Sequence, residues 1–212
     1  MPGTKEHVSG VDEISITEAL VSLRSKKPAS LYVFAPGDDY FIPQAKEAAR
    51  SQVAENAQAF DYAEFDGYDS NVDGITEFLE TEGFGSGRKV LIINDLEEKA
   101  GKRLGGLAAM FLRGGTSTLI FADPARLPTV LLSKAFVITN YAVSPANVRN
   151  WVRKRLSGRE IEGQAMHELI ERTAGSFFLM RSEIEKLLSY TTGTITIADV
   201  RDVVPRCHVA AA

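Results

Sequence analysis

Carboxylates that follow apolar stretches are the first residues in this sequence that could carry chemistry. The apolar run at residues 89–95 ends in Asn94 and Asp95, and a buried strand that ends in an acid is typical of the magnesium-binding strand of nucleotide hydrolases. Asn and Asp are also ordinary residues of the turn after a strand. We expect Asp95 to be such a turn residue, because it could act on magnesium only beside a phosphate-binding loop.

That phosphate-binding loop is the feature that the sequence lacks. It would follow the first strand-like run, residues 31–35, and would supply glycines for backbone N–H contacts, a lysine, and a Ser or Thr for magnesium. The chain instead has Pro-Gly-Asp-Asp-Tyr at residues 36–40. Two carboxylates, Asp38 and Asp39, would repel phosphate there, so the sequence argues strongly against ATP binding at this place.

Metal and nucleophile chemistry is also missing from the sequence. The three histidines, His7, His167 and His208, are scattered, and the one cysteine, Cys207, has no cysteine neighbour. Zinc needs several such ligands together, and no Gly-x-Ser-x-Gly nucleophile motif is present. We therefore predict no catalytic residue, no metal site and no cofactor.

A glycine-rich segment, residues 82–88, places one aromatic residue between a predicted helix and a predicted strand. Phe84 lies there beside Gly83, Gly85 and Ser86. The aromatic side chain could be exposed as an anchor for a protein partner, or it could fold back onto the core beneath the loop. The sequence leaves these two interpretations equally open.

Residues 147–155 combine an apolar stripe with basic residues, as an amphipathic helix does. Arg149, Arg153 and Lys154 lie on the basic side and could form a local patch that faces DNA. A solvated helix face has the same pattern, and the sequence alone favours that second interpretation.

The elements that must position these residues alternate along the chain. Apolar stretches without strict polar alternation predict buried strands at residues 31–35, 60–65, 89–95, 118–122 and 136–139. Helical patterns separate them, including one that Asp38 and Asp39 open and one over residues 104–112. This order predicts an α/β fold with a parallel sheet that is covered on both faces.

The pattern changes near Ser144 and Pro145, a helix-start signal after which only helical stretches follow. We place a boundary near Val143. Residues 1–143 are then predicted to form the α/β domain, and residues 144–212 a small helical domain.

Composition excludes several classes of protein. Hydrophobic residues make up 44% and charged residues 25% of the chain, which argues against global disorder. The formal net charge is −4, so the chain as a whole is no electrostatic DNA binder. No apolar run approaches the length of a membrane helix, and the polar first ten residues are no secretory signal. We expect a cytoplasmic protein.

Four segments together resemble the delta subunit of the bacterial DNA polymerase III clamp loader. They are the strand at 32–34 with the Gly-Asp-Asp-Tyr that follows it, residues 78–92 with the apolar loop and its Arg-led strand, the helix around Trp151, and residues 183–204. The last is the most specific, because a Glu-x-Glu-Lys-Leu helix, a tyrosine and an Ile-Thr-x-x-Asp-Val helix start are typical of that family. The resemblance covers about residues 20–205.

The resemblance implies an AAA+-type domain that does not hydrolyse ATP, followed by a helical lid. Such subunits bind the ring-shaped sliding clamp and help to hold it open, through an apolar wedge that corresponds to residues 82–87 here. Phe84, Gly83, Gly85 and Ser86 would then contact the clamp. The implied partners are the clamp, the ATPase and delta-prime types of loader subunit, and primed DNA through the assembled complex. The chain would be a non-enzymatic part of a DNA-directed DNA polymerase complex.

Two departures from the family pattern qualify this expectation. The family wedge usually offers two adjacent bulky apolar residues, whereas here only Phe84 is present and Gly85 occupies the neighbouring position. Loss of one such side chain removes about 1.5–3 kcal/mol of burial. The sequence also ends before the helical collar domain of the family, so we expect either a fragment or a short relative that assembles differently.

Two further functions stay open from the sequence. One is an AAA+-type ATPase with a degenerate nucleotide site. The other is an accessory module of a nucleic-acid complex that uses the basic helix at residues 147–155.

Overall fold

A computed structural model describes residues 11–84 and 88–207. The chain divides into two compact units. The first contains Met1–Gly37 and Phe41–Ala142, and the second contains Asp38–Tyr40 and Val143–Ala212. The three residues that follow the first central strand therefore belong to the second unit, although they lie far from the rest of it in sequence.

The first unit is built on a six-stranded parallel sheet. Its strands are β1 (Asp12–Ser15), β2 (Leu31–Phe34), β3 (Tyr62–Asp66), β4 (Lys89–Asn94), β5 (Thr116–Phe121) and β6 (Phe136–Asn140). They lie side by side in the order β1-β6-β2-β5-β4-β3. The central strands β2 and β4 are almost wholly buried, as expected for a parallel sheet that is covered on both faces.

Seven helices connect these strands in the described part of the first unit. They are α1 (Ile16–Leu23), α2 (Ile42–Arg50), α3 (Gln58–Asp61), α4 (Val72–Glu80), α5 (Glu98–Gly105), α6 (Ala108–Phe111) and α7 (Thr129–Leu132). Helix α1 begins with a capping box, in which Ser15 and Glu18 satisfy each other's backbone N–H groups. Hydrogen bonds from Ser15 hold the pKa of Glu18 below its usual value.

Four details of the predicted elements are wrong. Strand β1 was not predicted, because its first half is Asp12 and Glu13 at a sheet edge, where the apolar pattern is weak. The helix over residues 104–112 is two short helices, α5 and α6. Asp38 and Asp39 do not open α2, which follows a 3₁₀ turn at Asp39–Phe41.

The fourth error concerns Phe60, which was assigned to a strand. Phe60 and Asp61 instead end the short helix α3, and β3 starts only at Tyr62. A short apolar run does not by itself distinguish a strand from the end of a helix.

The second unit is helical. Its helices are α8 (Pro145–Arg155), α9 (Gly163–Arg172), α10 (Phe177–Tyr190) and α11 (Ile197–Val203). Ser144 caps α8 ahead of Pro145, as the sequence predicts. Among the residues described after Pro145, the only strand-like pairing is a single bridge between Ile161 and Ile195. The predicted fold class, a parallel α/β unit followed by a small helical unit, is confirmed.

Candidate partner-binding site

The carboxyl end of β2 is where a parallel sheet of this topology would bind a ligand. Strand β2 lies between β5 and β6, so the strand order reverses there, and ligands bind at such points. In this chain the space is filled. The hydroxyl of Tyr141 donates a hydrogen bond of 2.5 Å to the carbonyl oxygen of Ala35. A Cβ atom on Gly37 would lie only 2.3 Å from the Tyr141 ring, so the ring packs directly on this glycine.

Asp38, predicted to repel phosphate, has a structural role within the second unit. One carboxylate oxygen accepts a hydrogen bond of 2.6 Å from the backbone N–H of Phe177, the first residue of α10. The other accepts one of 3.0 Å from the backbone N–H of Tyr40. The first N–H groups of a helix have no partner inside the helix, and the helix dipole favours a negative charge beside them. The carboxylate of Asp38 therefore stabilises the start of α10.

Tyr40 completes this arrangement. Its ring stacks on Phe177 with centroids 5.5 Å apart and meets the ring of Trp151 edge-on at 5.3 Å. Its hydroxyl accepts hydrogen bonds from the Trp151 indole N–H at 2.7 Å and from Arg155 at 3.2 Å. Sequence analysis found each of these residues but gave no sign that they pack together.

Asp95 is exposed and has a φ of 46°, in the left-handed region that a turn after β4 requires. Its neighbour Asn94 donates a hydrogen bond of 2.9 Å to Glu64, which also pairs with Lys46. Burial would raise the pKa of Glu64, but the hydrogen bonds from Lys46 and Asn94 outweigh it and hold that pKa below its usual value. In the described ranges, no group of three or more His, Cys, Asp and Glu could hold a metal ion.

Phe84 lies on the exposed side of the loop after α4, with 61% of its surface accessible. Its backbone N–H donates a hydrogen bond of 2.7 Å to the carboxylate of Asp61, which is fully buried. The exposure excludes the interpretation in which Phe84 folds back onto the core. Gly83 is also exposed, whereas Gly85 and Ser86 lie outside the described residues.

Lys89, the buried first residue of β4, holds the start of this loop in place. Its ammonium group donates hydrogen bonds to the carbonyl oxygens of Phe78 and of Thr81, the latter at 2.7 Å. Phe78 lies in the last turn of α4 and Thr81 directly follows the helix. Backbone carbonyls at a helix end have no partner within the helix. Burial lowers the pKa of Lys89, and the nearby charge of Asp61 partly opposes that shift.

Phe60 was missed by sequence analysis, because it was assigned to a buried strand. It is 63% exposed, and its ring lies 5.1 Å from the Phe84 ring, centroid to centroid. The two rings meet because Phe60 lies at the end of helix α3. No local sequence pattern marks the end of this helix.

The basic side of α8 is exposed, which fits both a solvated face and a face that contacts DNA. Arg149, Arg153 and Lys154 are all exposed, and none of them forms an ion pair with another described residue. His167 lies on α9 within 3.4 Å of Glu171 and has no further metal-type ligand beside it in the described chain.

The parallel α/β unit and the helical unit that follows it in sequence define the class of the fold. Solved structures agree with this class. The Bacillus subtilis DNA clamp loader delta protein matches with a TM-score of 0.57 and 16% identity, over 91% of this chain and 63% of that chain. The Thermotoga maritima RuvB Holliday junction branch migration motor matches with a TM-score of 0.60 and 15% identity, over 89% of this chain and 65% of that one. At such identities these likenesses show the fold.

Residues 32–122 match the family described as DNA polymerase III, delta subunit. The match confirms the resemblance found in the sequence, over fewer than half of the residues of the chain. The chain spans less than two thirds of the length of the solved structures that it resembles. No curated protein sequence matches it significantly. No helix in the described segments is long and apolar enough to cross a membrane.

Proposed function

We propose that this chain is a non-catalytic clamp-loader subunit that binds the sliding clamp and helps to hold it open for loading onto primed DNA. One observation carries the proposal: Phe84, in the segment that corresponds to the family wedge, is exposed on a loop whose backbone is held by buried groups. A single well-held aromatic side chain can dominate a small protein interface.

The direct test is binding between this chain and the sliding clamp of the same organism, measured by calorimetry. We expect a saturable complex with one or two chains per clamp ring. A clamp that shows no binding at tens of micromolar protein would contradict the proposal.

The proposed absence of ATP hydrolysis follows from the edge of the sheet. The segment after β2 offers no lysine, Tyr141 packs over Gly37, and Asp38 is hydrogen-bonded within the helical unit. Energy for loading would come from ATPase subunits of the same complex, in the cytoplasm. Magnesium-dependent ATP turnover above background that disappears on Asp95→Ala would refute this part.

The basic face of α8 supports a second, weaker role in the same complex. Arg149, Arg153 and Lys154 have no acidic partner in the described chain, so they could contact DNA phosphates. Replacing all three by Gln should weaken binding of the chain to primed DNA and flatten its dependence on salt concentration. Unchanged binding at low salt would leave α8 as a solvated face.

We also propose that the two compact units are separate domains joined near Val143. Limited proteolysis should cut between Tyr141 and Pro145. Because Asp38–Tyr40 belongs to the second unit, the two fragments should remain together on gel filtration after the cut. Resistance of this segment to proteases would argue against a mobile linker.

A further inference from the structure

We propose that Phe60 and Phe84 form one two-ring surface that enters a groove of the clamp, and that Asp61 positions it. The proposal rests on the proposed function and names two residues that the family resemblance does not supply. The occupant is a protein groove that is apolar at its centre and basic at its border.

The two rings stand out from the other apolar residues of the chain. Three of the eleven phenylalanines are more than half exposed, namely Phe60, Phe84 and Phe178. Single exposed apolar side chains are ordinary in proteins, but Phe60 and Phe84 pack on each other at 5.1 Å with an interplanar angle of 40°. Two paired rings that both remain over 60% exposed are typical of an interaction site.

The end of α3 supplies both the second ring and the support for the first. Phe60 is exposed, and the next residue, Asp61, is fully buried. The Asp61 carboxylate accepts a hydrogen bond from the backbone N–H of Phe84. The second carboxylate oxygen of Asp61 has no hydrogen-bond partner in the described chain. A buried carboxylate without full pairing is costly. The hydrogen bond that Asp61 does accept holds the backbone of Phe84 in place, and this is the role that the proposal gives to the carboxylate.

The two rings come from parts of the chain that are distant in sequence. The loop itself offers one ring, and a glycine follows Phe84. In the folded chain Phe60 supplies the second ring from a different element. Because both rings are held in advance, less conformational entropy is lost on binding than with a flexible loop.

Charge near the two rings identifies the border of the partner's groove. Glu80 ends α4 and Glu82 lies two residues before Phe84, and both are exposed. Neither forms an ion pair with another described residue. Complementary charge steers protein association, so the clamp groove that takes the rings should have lysines or arginines at its edge.

The experiment compares clamp affinity for the full chain and for Phe60→Ala, Phe84→Ala and the double variant. Phe178→Ala is the matched control, because Phe178 is 60% exposed on α10. We expect the dissociation constant to rise about 30-fold for Phe84→Ala and about 10-fold for Phe60→Ala. The double variant should lose about 100-fold, less than the product, because rings in contact are coupled. The control should change less than twofold.

The outcomes separate the two proposals. If Phe84→Ala weakens binding and Phe60→Ala behaves like the control, the two-ring surface is refuted and the clamp-binding function stands. If the unmodified chain does not bind the clamp, both fall. If the two single losses multiply fully, the rings act independently and the single surface is refuted.

Asp61 needs a readout that a merely structural role would not change. Asp61→Ala should weaken clamp binding about 10-fold in the unmodified chain but should add nothing in the Phe60→Ala, Phe84→Ala background. Asp61→Asn keeps an acceptor oxygen and should recover most of the affinity. Should Asp61→Ala fail to fold, amide exchange of Phe84 in the unmodified chain decides: strong protection supports the positioning role, and exchange at the free-peptide rate overturns it.

Discussion

The carboxyl end of β2 and the loop that carries Phe84 differ in where their side chains pack. At the end of β2, Tyr141 covers Gly37 and donates to the Ala35 carbonyl, while Asp38 is hydrogen-bonded inside the helical unit. At the loop, buried groups hold the backbone while two aromatic rings face outward. The residues at the end of β2 contribute to the stability of the chain. The two paired rings leave apolar surface exposed, and we propose that a partner covers it.

The difference predicts that substitutions in the two regions should have reciprocal effects. Changes at Asp38, Tyr40 and Tyr141 should lower stability and leave clamp binding nearly unchanged. Changes at the exposed rings should do the opposite. In the stabilising region, the expected loss of stability decreases from Tyr40→Ala through Asp38→Ala to Tyr141→Phe.

Tyr40→Ala should have the largest effect on stability. It removes the stacking on Phe177, the edge contact with Trp151 and the acceptor of two hydrogen bonds. We expect the free energy of unfolding of the helical unit to fall by about 2–4 kcal/mol, measured by urea denaturation followed by Trp151 fluorescence. Tyr190→Ala is the control, because Tyr190 is 58% exposed in the same unit, and it should cost less than about 0.5 kcal/mol. Equal effects of the two changes would contradict the role of Tyr40.

Asp38→Ala should have an intermediate effect, because it removes the carboxylate at the start of α10. We expect a loss of about 1–2 kcal/mol in the unfolding free energy of the helical unit. Asp39→Ala is matched in charge and position but removes an exposed carboxylate, so thermal melting should be nearly unaffected. The assignment fails if Asp39→Ala destabilises the chain as much as Asp38→Ala.

Tyr141→Phe should have the smallest effect of the three. It keeps the ring over Gly37 and deletes only the hydroxyl that donates to the Ala35 carbonyl. The expected loss is about 1 kcal/mol in the unfolding free energy of the α/β unit. Tyr68→Phe, at a half-exposed tyrosine, serves as the control in the same melting experiment. A variant as stable as the control would mean that water replaces the hydroxyl at no cost.

Much of the fold could be predicted from the sequence, because the central strands are continuous apolar runs and the helix caps are local signals. Ser144 and Pro145 mark the start of α8 in the structure as in the sequence. The edge strand β1 could not be predicted in this way, since its polar residues at the sheet edge carry little apolar pattern.

The candidate site could be predicted only in part. Phe84 was identified from its glycine-rich surroundings, and its exposure agrees with that interpretation. Phe60 and Asp61 were not identified, because their importance depends on how α3 ends and on a contact between distant segments. The role of Asp38 was also out of reach, since it depends on Phe177. Contacts between residues far apart in sequence leave no local pattern.

Phe84→Ala tests most directly whether the exposed rings affect clamp binding and not stability. The dissociation constant for the clamp and the melting temperature are measured on the same sample. Because the ring is 61% exposed, we predict that clamp binding weakens by about 2 kcal/mol or more while the melting temperature stays nearly unchanged. A buried phenylalanine would instead cost about 3–5 kcal/mol of stability. A large drop in melting temperature with normal clamp binding would contradict the assignment of Phe84 to the clamp interface.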